Sequence, residues 1–167
     1  ALALDGDYDK ERAVIAGMCS AIFDDLTERN ELSPQQMKEL IHLPEQVHCE
    51  SNFAEFSQRL YIDLLEKLND WQKTELKKYL LQLLEAEGKD KIPGSDYWKI
   101  KGTNAYLILL LLIGIRKESI NWKIIYDFGE YLQITDDYED YHQDEIDSNW
   151  FGVHPKYDLH GIYRKKI

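Results

Sequence analysis

INWKIIYDFGEYLQITDDYEDYHQDEID, residues 120–147, begins as an apolar-periodic stretch and runs straight into a row of carboxylates. The period predicts a helix from about Ile120 to Tyr141. On such a helix Asp136 and Asp140 lie one turn apart on the same face, with Asp137 on the neighbouring ridge and Asp144 a further turn along. A row of this kind repels itself unless something cationic sits on it.

Working outward, the rest of the chain also reads as helix. DYDKERAVIAGMCSAIFDDLTER places Ala13, Ala16, Gly17, Ser20, Ala21 and Asp24 along one small-residue stripe and predicts a helix over about Asp9–Arg29. Ser33-Pro34 supplies an N-cap and a first-turn proline for a short helix that ends before Pro44. Ser51 starts another, with Phe53, Phe56, Leu60, Leu64 and Leu68 at three- and four-residue spacing. Trp71 to Glu87 repeats the pattern through Leu76, Leu80 and Leu84, with Gly88 as its C-cap. After GKDKIPGSD a further helix is expected over about Tyr97–Ile115. Nothing alternates with period two, so the expected class is all-α. The expectation is one helical domain over 1–167, with an irregular tail over 145–167.

Composition narrows the partners. The chain has 167 residues, 44% hydrophobic and 31% charged, enough to bury a real core in a single domain. A formal net charge of -11 argues against nucleic acid and anionic membrane as partners. The longest apolar run, AYLILLLLIGI from Ala105 to Ile115, is short of the ~20 residues of a spanning helix and reads as core, so no stable membrane insertion is expected. Two cysteines, Cys19 and Cys49, are too few for a disulfide framework or a thiolate zinc site, which points to the cytoplasm. The chain as given has no initiator Met, so a processed or truncated piece, or only the ordered part of one, is expected. A homodimer is left open.

The first helix ends in its own acidic group. Asp24, Asp25 and Glu28 in FDDLTE form D-D-x-x-E, and the last helix carries D-D-x-x-D at Asp136, Asp137 and Asp140. Oxygen-only ligands at this spacing suit a hard ion such as Mg2+, which bridges carboxylates and phosphate oxygens. Two such groups on facing helices are the arrangement that would hold a diphosphate between shared metals. The plain alternative is two solvated helix ends in an acid-rich chain.

These residues resemble the class I isoprenoid synthases: the trans-prenyltransferases, the squalene and phytoene synthases and the terpene cyclases. FDDLTE is similar to their first aspartate-rich motif. LQITDDYEDYHQD is similar to the second, with Leu132 where prenyltransferases have Phe, while Gln133, Asp136, Asp137 and Asp140 match. In YWKIKGTNAYLILL, Lys101 ahead of Gly102 and Thr103 falls at the place of the family's diphosphate-binding lysine, with Lys99 as a second candidate. Only Arg29 follows the first motif, where prenyltransferases carry an arginine pair, and DDYED departs from the second metal motif of ordinary cyclases.

The resemblance implies an antiparallel bundle of the class I terpenoid synthase type, about six helices around a central cavity, with the family's early helices absent. It implies an Mg2+-dependent enzyme that ionises an allylic prenyl diphosphate and couples or cyclises the carbocation. Asp24, Asp25, Asp136 and Asp137, with Glu28 and Asp140, would position Mg2+, and Lys101 and Gln133 would meet the substrate. Phe23, Tyr106 and Tyr131 are candidates to shield the cation. Gly17, Ser20 and Ala21 would leave room for the prenyl chain, unless they serve close helix packing instead.

Two rival classes remain. Glu45 to His48 (EQVH) and Glu139 to His142 (EDYH) match the E-x-x-H pairs of di-iron carboxylate bundles, although the first follows Pro44 at a turn. A non-catalytic or degenerate helical relative would bind no prenyl diphosphate.

Overall fold

The structure, a computed structural model, describes residues 10–87, 96–114 and 121–147. They form six α-helices and one 3-10 turn: α1 (Lys10–Glu28), α2 (Pro34–His42), the turn Pro44–Gln46, α3 (Asn52–Glu66), α4 (Asp70–Glu87), α5 (Tyr97–Leu112) and α6 (Trp122–Asp147). No strand occurs among the described residues, so the chain is all-α as its periodicity predicts. None of these helices is long and apolar enough to cross a membrane. The Gly88 cap and residues 148–167 of the tail lie outside the described residues.

Local chemistry sets the helix starts. Ser33 forms a reciprocal capping box with Gln36, its hydroxyl accepting from the Gln36 N–H at 3.2 Å while Gln36 Oε1 accepts from the Ser33 N–H at 3.0 Å, and Pro34 occupies the first turn. Asn69 and Gln72 exchange the same pair of bonds ahead of α4. Ser51 caps α3 by accepting from the Ala54 N–H at 3.0 Å, and its hydroxyl donates to Glu31 Oε2 at 2.5 Å. Ser51→Ala therefore loses a cap and a tie to the segment after α1. We expect ~1 kcal/mol of destabilisation, read as a lower urea midpoint at unchanged slope.

The most apolar helix, α5, is the hub. It packs against α1, α4 and α6, while α1 also packs on α3 and α2 on α4. α1 and α3 are antiparallel: Lys67 pairs with Glu11 at 2.7 Å, Phe23 meets Tyr61 edge-on at 5.2 Å, and Arg29 lies 5.6 Å from the Phe53 ring centroid. α4 and α5 pack together too, with Gln72 Nε2 near the start of α4 donating to the Leu111 carbonyl near the end of α5. On α1 the stripe Cys19, Ile22 and Leu26 is buried. Side chains of this size contribute ~1.5–3 kcal/mol each when fully buried. Burial pushes the Cys19 thiol up to about 12, so it is inert at neutral pH.

Three expectations are corrected. The buried face of α3 is Ala54, Ser57, Tyr61 and Leu64, continuing to Leu68, whereas Phe56 is exposed and Phe53 and Leu60 are half-buried. Tyr61 decides this rotation, since its ring packs on Phe23 and its hydroxyl donates to the Ile41 carbonyl at 3.2 Å. α5 stops at Leu112 rather than Ile115, because Gly114 adopts φ 91° and turns the chain out of the helix. α6 runs past Tyr141 to Asp147, so residues 145–147 are helical and not part of an irregular tail.

Candidate functional site

Two glycines let α5 and α6 meet backbone to backbone. A methyl group on Gly102 would lie 1.9 Å from the Gly129 carbonyl oxygen, and one on Gly129 would lie 2.6 Å from the Thr103 nitrogen. Gln133, one helical turn beyond Gly129, has its Cβ 3.0 Å from that same Gly102 position. It is buried, and its Nε2 donates to Asp136 Oδ2 at 3.1 Å. The crossing thus brings Gly102 against Gly129 and Gln133, and Thr103 against Gly129, with Asp136 held by Gln133 a little further along α6. The Gln133 amide fixes the Asp136 carboxylate on the exposed edge of the seam.

Lys101 is half-buried, with its ammonium 5.9 Å from the Tyr97 ring centroid one turn back. Further along the seam Tyr106 meets Phe128 edge-on at 5.1 Å, and Phe128 stacks on Tyr131 at 6.4 Å. Both tyrosines are half-buried. Lys99 is exposed, over the Tyr126 ring at 5.4 Å.

The other acidic group closes α1. Leu26 is fully buried and anchors it, leaving Asp24 exposed and Asp25 at the surface, where Arg29 Nε reaches its carboxylate at 3.0 Å. Phe23 is half-buried against Tyr61. Gly17 is exposed, and a methyl group there would meet nothing within 4 Å. With exposed Val14, Met18 and Ala21 it forms an open face of α1. The side chains of Ser20, Glu28, Asp137 and Asp140 lie outside the described residues, although their backbones belong to α1 and α6.

The two acidic groups therefore stand on helices that share α5 as a packing partner. Among the described residues, which leave out the Glu28, Asp137 and Asp140 carboxylates, no three His, Cys, Asp or Glu side chains converge on one metal position. Glu45 stands in the 3-10 turn and is exposed, as is His48, so EQVH does not form a helical ligand pair. The glycine pair was missed at the sequence level. Its signal is a glycine inside each of two helix-forming stretches, which costs helix stability and so marks a close backbone approach. No protein-family model matches the chain, and no curated protein or solved structure was found similar to it.

Proposed function

We propose that the protein is an Mg2+-dependent isoprenoid synthase that binds an allylic prenyl diphosphate between the acidic ends of α1 and α6. The observation that supports this reading is the α5–α6 crossing, where Gly102, the residue after Lys101, lies against Gly129 and Gln133, and Gln133 holds the Asp136 carboxylate. A lysine next to the glycine of that crossing and a carboxylate oriented by Gln133 are groups that would meet a diphosphate and its cations. α5 also packs on α1, the helix that bears Asp24 and Asp25.

The donor set, all carboxylate oxygen, suits Mg2+. Asp24, Asp25 and Glu28 on one side and Asp136, Asp137 and Asp140 on the other would hold it. When bound, Mg2+ would neutralise the charge that develops on the departing diphosphate. The Asp25–Arg29 pair is no obstacle, since an exposed ion pair is worth only ~0–1 kcal/mol and yields readily to a divalent ion. Lys101 would contact the diphosphate directly, and Gln133 would keep Asp136 in place. The half-buried rings of Tyr106 and Tyr131 would offer their faces to a carbocation.

A second reading, a non-catalytic helical relative that binds no prenyl diphosphate, is favoured by the open face around Gly17, which encloses no prenyl chain among the described residues. Incubation with geranyl, farnesyl and geranylgeranyl diphosphates, with and without isopentenyl diphosphate, followed by product analysis, separates the two. Prenyl products support the enzyme, and the absence of both products and Mg2+-dependent binding supports the relative. Lys101→Ala should weaken prenyl diphosphate binding by roughly tenfold, the scale of one charge-assisted contact, while the helical circular dichroism stays unchanged. Equal affinity in parent and variant would remove Lys101 from the site.

A further inference from the structure

α1 buries Cys19, Ile22 and Leu26 and leaves its other face open. On that face Val14 is 62% and Met18 44% exposed, with Gly17 and Ala21 also at the surface. A glycine inside a helix costs ~1 kcal/mol against alanine. Gly102 and Gly129 offset that cost through the backbone contact they permit. Gly17 has no such neighbour among the described residues, since a methyl group there would meet nothing within 4 Å. The use left for it is close approach by a group from outside.

Two features of α1 say what that group is. Size alternates along the open face: large Val14, small Gly17, large Met18, small Ala21. In an antiparallel helix pair whose twofold axis passes between positions 17 and 18, Val14 of one copy faces Ala21 of the other and Met18 faces Gly17, so each large side chain meets a small one. A parallel pair would set Val14 on Val14 and leave Gly17 opposite Gly17. Charge follows the same symmetry. Around the first turn, Lys10, Arg12 and Lys67 outweigh Glu11, which Lys67 pairs at 2.7 Å. Around the last turn, Asp24, Asp25 and Glu28 outweigh Arg29, which pairs Asp25 at 3.0 Å. Within one chain these charges oppose the helix dipole at both ends. An antiparallel pair sets the acidic end of each α1 against the basic start of the other.

We infer that the open face of α1 docks a second copy of this chain, forming an isologous dimer with the two α1 helices antiparallel. Met18 of each copy fills the space over Gly17 of the other. One helix face per copy lies at the small end of specific interfaces, so the dimer is weak, with a dissociation constant of roughly 10–100 μM. The pairing uses Gly17 and Ala21 for close helix packing and does not rest on the diphosphate reading.

Sedimentation velocity of the full chain over a concentration series spanning that range, in buffer with chelator and no prenyl diphosphate, tests it. A reversible monomer–dimer equilibrium is expected. Gly17→Glu, placed in open space in the monomer, should keep the helical circular dichroism and weaken the dimer at least about tenfold, because the two carboxylates meet near the axis. Phe56→Glu, on the exposed side of α3, should leave the dimer within about twofold. Lys10→Glu/Arg12→Glu and Asp24→Lys/Asp25→Lys should each weaken self-association. Mixed together, these two charge-reversed proteins should form a heterodimer tighter than either forms alone, since only the antiparallel pair then opposes unlike ends. A chain that stays monomeric throughout overturns the pairing. So does a Gly17→Glu protein that associates like the parent, a Phe56→Glu protein that loses as much as Gly17→Glu, or a mixture of the reversed proteins that gains nothing.

Discussion

Gly102→Ala is expected to lower the stability of the fold by about 2–3 kcal/mol or more, with Gly129→Ala close behind. Overpacking a well-filled interior costs ~1–3 kcal/mol when neighbouring side chains can shift. Here the atoms in the way are backbone: the Gly129 oxygen at 1.9 Å and carbon at 2.5 Å from the new methyl. No rotamer relieves that contact. The helices must separate along the seam that seats Gln133. The gain in helix propensity from Gly to Ala, ~1 kcal/mol, opposes the loss and is outweighed. For a chain of this length each kcal/mol moves the melting temperature by ~2–4 °C, so a drop of several degrees should appear in thermal melts followed by helical circular dichroism. Gly17→Ala is the internal control. Its methyl meets open space, and the same propensity term should leave the protein unchanged or slightly more stable. Gly102→Ala/Gly129→Ala should cost less than the sum of the singles, because one separation of the helices relieves both clashes. If Gly102→Ala melts with Gly17→Ala, the two backbones do not touch.

The same contact shows which parts of the fold the sequence could carry. Helix positions were legible because three- and four-residue periodicity and the Ser33 and Ser51 caps are local signals. The face a helix buries is not local. On α3 two stripes overlap, Phe53/Phe56/Leu60 and Ala54/Ser57/Tyr61, and hydrophobicity favours the first. The fold buries the second because the small Ala54 and Ser57 and the hydrogen-bonding Tyr61 suit what faces them, with Tyr61 packed on Phe23 and bonded to the Ile41 carbonyl. The Ser57 hydroxyl is no obstacle to burial, since it donates to the Phe53 carbonyl at 2.6 Å. At the candidate site, residues within one segment were legible. The i, i+3 spacing that lets Gln133 bond Asp136, and the place of Lys101 beside Gly102, follow from the sequence. Which segments meet does not, because that depends on two glycines far apart in the chain. The open setting of Gly17 likewise depends on which face of α1 its neighbours cover, and Cys19, Ile22 and Leu26 take the opposite one.

The carboxylates of α6 carry the other large expected effect. Asp136 is exposed, with one oxygen accepting from Gln133, and Asp140 follows one turn later on the same helix. Like charges at this spacing cost a few tenths of a kcal/mol in an isolated helix. Replacing both with Asn should therefore raise the melting temperature slightly in metal-free buffer. Ligand moves stability much further. A ligand that binds only the native state stabilises it by ~2.7 kcal/mol at a hundredfold excess over its dissociation constant. On the scale above, that is a rise of several degrees for the parent in Mg2+ plus farnesyl diphosphate. Asp136→Asn/Asp140→Asn removes two anionic ligands together and should forfeit nearly all of this gain while keeping its small advantage without ligand. The two proteins thus cross: the variant melts higher without ligand and the parent melts higher with it. A merely solvated acidic helix end gives no crossing, because salt screens its charges and nothing binds there. Melts of both proteins in buffer alone, in Mg2+ alone and in Mg2+ with farnesyl diphosphate distinguish the cases. A parent that gains nothing from Mg2+ and farnesyl diphosphate together would leave the acidic ends of α1 and α6 without the ligand proposed for them.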